Sequence, residues 1–270
     1  PNVVPIYDVE LDGDGRPLIV MRRVEGQHWG ELMHDPAAIR ARDGVVDPLE
    51  WNLRVLRAVC NALELAHSRG VLHRDVKPEN VMLGKFGEVY LLDWGLALSG
   101  DDPVRLTQPG LVGTPAYMAP EMLDGGASVS ERTDVYLLGA TLYELVAGTP
   151  PHVAASVREL FRSVLESDPV LPPETPPLLA SICRRAMARD PADRHRDVTE
   201  LRAALDEFLR FRVADQIVER AGARLAQLEA KLASGAARGE LYELFGECRF
   251  GFREALAQRP DQAPARDGLV

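Results

Sequence analysis

Strand-like and helical segments are distributed unevenly along this chain, and that distribution constrains its fold most. Short strand-like segments with alternating apolar residues occur in the first hundred residues. From Ser130 onward, apolar residues repeat with a helical period, and the breaks fall at Gly and Pro clusters. We expect helices there at about 131–147, 153–166, 176–189 and 198–210. The pattern predicts an α+β fold in which a small β portion leads into a large helical portion.

The β portion is expected to consist of two hairpins. The first joins strands at 3–9 and 18–21 through a turn at 12–15, where Asp and Gly alternate. The second joins strands at 81–83 and 89–92 through a short polar turn. An isolated hairpin such as the first cannot bury both of its faces.

A long amphipathic helix is predicted between the two hairpins. Asp47 is its expected N-cap, Pro48 occupies the first helical position, and Glu50 completes a capping box. Apolar residues continue at helical spacing until Gly70 ends the pattern. This helix therefore has one face directed toward a core.

Composition excludes several classes of protein. With 46% hydrophobic and 27% charged residues, the 270-residue chain resembles a folded globular protein and not a disordered one. Acidic residues outnumber basic ones by 41 to 31, which argues against nucleic acid or an anionic membrane as its main partner. No apolar run reaches the ~18 residues of a membrane helix, and three scattered cysteines indicate buried thiols in a reducing compartment. We therefore expect a cytoplasmic location.

Beyond about residue 210 the composition shifts to Ala, Glu, Arg and Leu. Helices at about 213–233 and 239–258 are expected to form an appended helical hairpin, which could bind a protein partner. Phe252, Ala255, Leu256 and Pro260 resemble positions in the second helix of a tetratricopeptide repeat. A plain antiparallel hairpin that packs on the core of the main domain is the other interpretation.

Four polar side chains beside the second hairpin are candidates for chemistry. Asn80 and Asp93 offer hard oxygen ligands, which suit Mg²⁺ when water and phosphate complete its shell. Lys77 supplies a point charge for a phosphate oxygen, and Asp75 can accept the proton of an attacking hydroxyl. These roles together predict phosphoryl transfer.

The same residues lie in segments that resemble motifs of the eukaryotic-type protein kinase family, in its bacterial serine/threonine branch. Residues 73–80 read HRDVKPEN and resemble the catalytic loop HRDxKxxN. Asp93-Trp94-Gly95 resembles the metal-binding DFG motif, with Trp94 in place of Phe. Residues 113–121, GTPAYMAPE, are similar to the end of the activation segment, which would then span 93–121.

The resemblance implies a protein-kinase-like fold that consists mostly of the helical C-lobe. Residues 1–25 would be a remnant of the N-lobe and hinge, 26–210 the C-lobe, and 211–270 the appended helical hairpin. It also implies a serine/threonine protein kinase that transfers the γ-phosphate of ATP to protein hydroxyls, with ATP and Mg²⁺ as cofactors and proteins as substrates.

Roles at the reaction centre follow from the same resemblance. Asp75 would be the catalytic base, Lys77 would bind phosphate, and Asn80 and Asp93 would hold Mg²⁺. Thr114 would position the substrate hydroxyl.

For the adenine ring, the resemblance implies contacts from the first hairpin and the second. Met21 would be the gatekeeper, Arg22 to Val24 the hinge, and Met82 the floor beneath the ring.

Further matching residues have structural roles in the family. Asp134 would anchor the catalytic loop, Glu121 would form a buried ion pair with Arg194, and Trp94 would pack on the ring of His73. The remaining structural positions are Arg74 and Gly95.

A regulatory site is also implied. An arginine before the catalytic aspartate, here Arg74, accompanies activation-loop phosphorylation in the family. Thr107 is the candidate acceptor, and Ser99 is a weaker one. An ordinary polar loop residue remains the alternative for Thr107.

Three parts of a complete kinase do not occur in these residues: a glycine-rich lid, a strand lysine that binds phosphate, and a helix glutamate that pairs with it. We therefore expect the 270 residues alone to be almost inactive. The chain is either an excerpt of an active kinase, a pseudokinase scaffold that works through its C-terminal helices, or a portion complemented by another chain.

Overall fold

The computed structural model describes residues 2–44, 47–99, 112–124, 128–235 and 237–269. The chain divides into two compact units, Pro1–Leu205 and Asp206–Val270. The first unit carries every strand described below and the expected reaction centre, and the second unit is helical. The mixed architecture agrees with the α+β class expected from the sequence.

In the ranges that the structure describes, seven strands form three small antiparallel sheets. They are β1 (Ile6–Leu11), β2 (Pro17–Met21), β3 (Gly26–His28), β4 (Val71–Leu72), β5 (Val81–Gly84), β6 (Val89–Leu91) and β7 (Leu98–Ser99). β1 pairs with β2, β5 lies between β3 and β6, and β4 pairs with β7. Both expected hairpins are therefore confirmed, while β3, β4 and β7 were not expected.

Nine helices are described. They are α1 (Trp29–Leu32), α2 (Pro36–Asp43), α3 (Pro48–His67), α4 (Glu131–Ala147), α5 (Val157–Glu166), α6 (Pro177–Ala186), α7 (Val198–Ser234), α8 (Arg238–Gln258) and α9 (Ala263–Asp267). The helical half expected after Ser130 is confirmed, whereas α1 and α2 escaped the sequence analysis because they are short.

The expected N-cap of α3 is confirmed, whereas the Glu50 carboxylate accepts from the Arg54 guanidinium. Asp47 caps the helix, and its carboxylate accepts the N–H groups of Leu49 at 3.1 Å and Glu50 at 3.2 Å. The buried face of α3 packs against α4 on one side and β6 on the other. Gly70 follows in a left-handed conformation, φ +68°, which suits the turn into β4. The helix thus connects the helical core to the small sheet.

Two expected boundaries were wrong. Helices expected at 198–210 and 213–233 form the single helix α7, because residues 210–213 contain neither Gly nor Pro to interrupt it. The helix expected from residue 153 begins at Val157, where the Ser156 hydroxyl accepts the N–H of Glu159 at 3.3 Å. A local cap thus decides where α5 begins.

The second unit contains an antiparallel helical hairpin. Three ion pairs show that its two helices are antiparallel. From Lys231 through Arg224 to Asp215 the residue number falls, while that of the partner rises from Glu240 through Glu247 to Arg259. Its small core is built from apolar residues of three helices: Ala221, Cys248, Phe252, Ala255 and Ala265. A C-terminal helical hairpin is therefore confirmed, while its expected bounds and its likeness to a tetratricopeptide repeat stay predictions.

Within the described ranges, no helix has both the length and the apolar character needed to cross a bilayer.

Candidate active site

The loop between β4 and β5, the expected catalytic loop, is held by Asp134 near the start of α4. The Asp134 carboxylate accepts the backbone N–H groups of His73 at 2.9 Å and Arg74 at 2.8 Å. Its Oδ2 also lies 2.7 Å from Nε2 of His67. Arg74 adopts φ +69°, a left-handed conformation that is uncommon for residues with a side chain. Three contacts to one buried carboxylate therefore support this turn immediately before Asp75.

His73 itself is buried beneath the loop and packs on Trp94. The two ring centroids lie 4.6 Å apart in an edge-to-face arrangement, which is the contact expected for Trp94. One ring nitrogen of His73 lies 3.0 Å from the Leu92 carbonyl, and the other lies 3.2 Å from the N–H of Asp75. Burial lowers the pKa of His73, so the neutral ring donates to the carbonyl and accepts from the amide. The ring therefore connects the catalytic loop to the segment that precedes Asp93.

Asp75 forms the centre of a compact polar network. Lys77 Nζ lies 2.8 Å from Asp75 Oδ2 and also donates to the Thr114 hydroxyl. The Thr114 hydroxyl in turn donates to Asp75 Oδ1 at 2.7 Å. Asn80 Nδ2 donates to Asp75 Oδ2 at 3.0 Å and to its backbone carbonyl at 2.8 Å. Four of the expected catalytic side chains are thus in direct contact.

The network keeps Asp75 ionised. Burial opposes the charged form, but the hydrogen bonds from Lys77, Thr114 and Asn80, together with the positive charge of Lys77, lower the Asp75 pKa below its ordinary value. Asp75 is only 5% exposed. Carboxylates with shifted pKa values cluster at functional sites. The geometry here suits a group that orients a substrate hydroxyl and accepts its proton.

Asp93 lies at the turn after β6, close to the backbone of Asn80. The N–H of Leu92 donates to the Asn80 carbonyl at 2.7 Å, so Asp93 directly follows a residue bonded to the catalytic loop. Asp93 has φ +57°, and its carboxylate accepts the N–H of Gly95 at 3.4 Å. Its side chain is exposed. The backbone therefore brings the two expected metal ligands to neighbouring positions.

The donor set at this place fits a hard divalent cation bound together with phosphate. The amide nitrogen of Asn80 is committed to Asp75, which leaves its oxygen as the ligand atom, and Asp93 adds a carboxylate. Within the described part of the chain, no group of three or more His, Cys, Asp or Glu side chains could hold a metal ion. Mg²⁺ suits such a sparse site, since it commonly keeps water and takes substrate phosphate oxygens as ligands.

The residues expected to contact adenine lie along one connection. Met21 ends β2, and Val24 precedes β3, which pairs with the strand that carries Met82. The Arg22 guanidinium donates to the Tyr90 hydroxyl at 3.0 Å. This side chain therefore packs toward β6.

A groove of about 750 Å³ in the first unit has a different lining. It is formed by α3, β6 and the N-terminal segment, at Asn2, Val3, Pro5, Trp51, Arg54, Val55, Ala58, Gly87, Glu88, Val89 and Tyr90. None of the side chains assigned a catalytic, nucleotide or metal role lines it.

Glu121 and Arg194 form the expected buried ion pair. The two guanidinium nitrogens lie 2.6 and 2.8 Å from the two carboxylate oxygens, which is a bidentate arrangement. Arg194 also donates to the carbonyls of Ala188 at 2.7 Å and Arg132 at 2.9 Å. The pair ties the end of the expected activation segment to the segment between α6 and α7.

The candidate phosphorylation site Thr107 lies outside the described residues. Ser99, the weaker candidate, lies in β7 and is half-buried. Arg74 donates through Nε to the Leu96 carbonyl at 2.7 Å, so its guanidinium lies beside the start of the expected activation segment.

Sequence reasoning missed His67 and Thr133. His67 contacts Asp134, and Thr133 donates to Glu121 at 2.9 Å. A signal existed for His67, because it follows Leu63 and Ala66 on the inward face of α3, where a polar residue needs a partner. For Thr133 we find no comparable signal.

Comparison with known proteins agrees with this geometry. Residues 1–202 match the family described as protein kinase domain. Serine/threonine-protein kinase PknD of Chlamydia trachomatis serovar D is 36% identical over 244 residues, which cover 77% of this chain and 25% of the relative. PknD of Chlamydia felis is 39% identical over 236 residues, with the same coverage of both chains.

A further relative is also named as a serine/threonine-protein kinase. The probable serine/threonine-protein kinase PknB of Corynebacterium glutamicum is 33% identical over 226 residues, which cover 79% of this chain and 34% of the relative. The chain thus spans between a quarter and about a third of the length of these relatives. From the match over most of its length and the contacts around Asp75, the chain belongs to the protein kinase family, in the bacterial serine/threonine branch of eukaryotic type.

Proposed function

We propose that this chain is the catalytic portion of a kinase that transfers the γ-phosphate of ATP to Ser or Thr hydroxyls of proteins. The network around Asp75 carries the proposal: a buried carboxylate of lowered pKa contacts Lys77, Asn80 and Thr114. The three residues supply a cation, a metal-ligand oxygen and a hydroxyl that phosphoryl transfer requires in one place. The names of the kinase relatives support the same activity.

In the proposed reaction, a substrate hydroxyl oxygen forms a bond to the γ-phosphorus while the bond between that phosphorus and the β–γ bridging oxygen breaks. ADP leaves with the electron pair of the broken bond. Asp75 accepts the proton of the hydroxyl, and Lys77 neutralises a phosphate oxygen. Thr114, which already bonds to Asp75, fixes the carboxylate and orients the incoming hydroxyl.

We propose that Asn80 and Asp93 hold Mg²⁺, which when bound neutralises charge on the ATP phosphates. The hydrogen bond between Leu92 and Asn80 supports this assignment, because it keeps the two ligand-bearing turns adjacent. Binding of Mg²⁺·ATP, measured by calorimetry, should weaken in Asp93→Asn.

We propose that adenine contacts the segment from Met21 through Val24 and the side chain of Met82. The direct passage from β2 to β3 beside β5 supports this assignment. For regulation, we propose phosphorylation at Thr107, with Ser99 as the weaker candidate. The Arg74 guanidinium would bind the added phosphate. The cytoplasmic location stays a prediction of the sequence.

These 270 residues contain no GxGxxG lid and no strand lysine in a Val-Ala-x-Lys context. Because one preorganised electrostatic group contributes roughly 10² to 10³ in rate, we propose that these residues alone transfer phosphate extremely slowly. The decisive assay therefore uses the full-length protein that contains this chain.

That assay measures transfer of labelled phosphate from ATP and Mg²⁺ to an unstructured Ser/Thr-rich protein. We expect transfer by the natural protein and a loss of roughly 10²-fold or more in kcat for Asp75→Asn. Asp168→Asn is the matched control, since Asp168 is exposed on the loop after α5. Undiminished transfer by Asp75→Asn would refute the role proposed for Asp75, and absence of transfer by the natural protein would favour the pseudokinase scaffold.

A further inference from the structure

A continuous row of side-chain hydrogen bonds lies in the first unit away from Asp75. Ser163 Oγ is 3.0 Å from His152 Nδ1, and His152 Nε2 is 2.9 Å from the Tyr136 hydroxyl. The Tyr136 hydroxyl is 2.8 Å from Ser167 Oγ, which donates to the Met187 carbonyl at 2.8 Å. We call the four side chains Ser163, His152, Tyr136 and Ser167 the His152 chain.

The last acceptor sets the direction of every bond in the His152 chain. A carbonyl only accepts, so the Ser167 hydroxyl donates its one hydrogen to the Met187 carbonyl. Its oxygen must then accept a hydrogen bond from the Tyr136 hydroxyl. The Tyr136 oxygen then accepts from His152 Nε2–H, and His152 Nδ1 accepts from Ser163. Burial lowers the pKa of His152 to about 4, so the neutral ring that this pattern needs is present at pH 7.

The His152 chain is joined to the segment that contains Thr114. The backbone N–H of His152 donates to the Ala116 carbonyl at 3.2 Å. Two further bonds flank this one: the Thr114 hydroxyl donates to Asp75, and the Tyr117 hydroxyl donates to the Glu144 carboxylate at 2.6 Å. The middle of the segment is therefore held by a residue outside the reaction centre.

His152 lies in the connection between α4 and α5, which contains neither helix nor strand from residue 148 to 156. The side chain is 3% exposed, whereas the next four residues are exposed. A connection without regular structure depends on such buried anchors for its position. The hydrogen bonds of the His152 ring therefore also determine where its backbone N–H lies.

We propose that the His152 chain positions the segment at 114–117 for the protein substrate, with His152 and Tyr136 as positioning residues and not catalytic ones. The proposal rests on the proposed function, since it assigns protein-substrate binding to the segment beside Thr114. Nothing in the chain of bonds contacts Asp75 or the expected nucleotide-binding residues. Loss of the His152 chain should therefore weaken binding of the protein substrate and leave binding of ATP unchanged.

Tyr136→Phe tests the proposal, because it deletes the central hydroxyl and keeps the ring. The Arg194 guanidinium lies 4.8 Å from the Tyr136 ring centroid, and this contact survives the substitution. Tyr143→Phe is the matched control on the same helix, where the hydroxyl donates to the Val170 carbonyl at 3.1 Å. Both variants are made in the full-length protein.

Amide hydrogen exchange of a peptide spanning 113–118 gives a readout independent of catalysis. We expect exchange to become roughly three- to tenfold faster in Tyr136→Phe, as the loss of one or two buried hydrogen bonds implies. It should stay unchanged in Tyr143→Phe. Unchanged exchange in Tyr136→Phe would overturn the proposal, whether or not the protein transfers phosphate.

Kinetics separate positioning from a general loss of stability. A smaller folded fraction lowers apparent kcat and leaves both KM values unchanged. Positioning instead raises KM for the protein substrate, by roughly three- to tenfold, with KM for ATP unchanged. Equal changes in both KM values, or a change in kcat alone, would count against the His152 chain as a positioning device.

Ser163→Ala keeps the test decisive if Tyr136→Phe fails to fold. Ser163 lies half-buried in α5, where Ala is well tolerated, and the substitution removes the donor to His152 Nδ1. The same rise in exchange at 113–118 is expected, with smaller size. A second outcome separates the two proposals. If exchange rises as expected but neither the natural protein nor any variant transfers phosphate, the positioning contact is supported and the proposed function fails.

Discussion

Nε2 of His67 lies 2.7 Å from Oδ2 of Asp134, although the two residues are 67 positions apart. Asp134 is fully buried, and burial alone would oppose its ionisation. The bond and charge of His67, together with the His73 contacts, instead lower the pKa of Asp134. Since Asp134 also accepts the N–H of Arg74, His67 supports the turn that leads to the reaction centre.

We predict that His67→Leu lowers the free energy of unfolding by about 1.5–3 kcal/mol, since it removes a hydrogen bond to a buried charged group. Urea denaturation followed by circular dichroism measures this change. His34→Leu is the control, because its side chain is more exposed and lies 3.8 Å from Glu144. Equal losses of stability in the two variants would contradict a stabilising role of the hydrogen bond between His67 and Asp134.

The bidentate pair of Glu121 and Arg194 gives a second prediction. Arg194→Gln leaves the Glu121 carboxylate buried without its cation, so the free energy of unfolding should fall by about 3–5 kcal/mol. Arg185→Gln, which breaks the exposed pair with Glu200, should cost no more than about 1 kcal/mol. Denaturation midpoints of both variants check this difference, and a small effect of Arg194→Gln would argue against the buried pair.

His152 should make the first unit sensitive to acid. Its pKa of about 4 in the folded protein lies below the ordinary value of 6.5, because burial disfavours the charged ring. The associated stability is complete above pH 6.5 and is lost as the pH falls toward 4, with a loss of about 2 kcal/mol between pH 7 and pH 5.

The measurement compares urea denaturation at the two pH values for the natural protein and His152→Gln. The variant should depend less steeply on pH, although His73 and His195, whose pKa values are also lowered by burial, retain part of the slope. Identical slopes would show that the pKa of His152 is the same in the folded and unfolded states.

Two helical glycines should respond to alanine with opposite signs. A Cβ at Gly139 in α4 would lie 2.7 Å from the Ala186 Cβ and 2.8 Å from the Met187 Cγ, so Gly139→Ala should cost about 1–3 kcal/mol. Gly222 in α7 has open space, and Gly222→Ala should gain about 0.5–1 kcal/mol. Thermal denaturation checks both signs, and a neutral Gly139→Ala would mean that α6 moves away easily.

Much of the local structure could be predicted before any coordinates. Asp47 followed by Pro48 places the start of α3, and the Asp-Gly turn at 12–15 places the first hairpin. The order of identities from His73 to Asn80 also identified the family that the comparison confirmed. These features depend on residues within a few positions of one another, and such residues interact whatever the rest of the chain does.

Other features required the tertiary structure. The sequence shows His67 on an inward face, but only the packing of α3 on α4 brings it to Asp134. Likewise His152, Tyr136 and Ser167 come from different elements, and no local pattern connects them. Sequence alone determined most of the longer helices, the two hairpin turns and the family of this protein, because propensity and motif act over short distances. The partners of its buried polar groups were decided by the packing of distant segments, since a hydrogen bond depends on where two atoms meet in space.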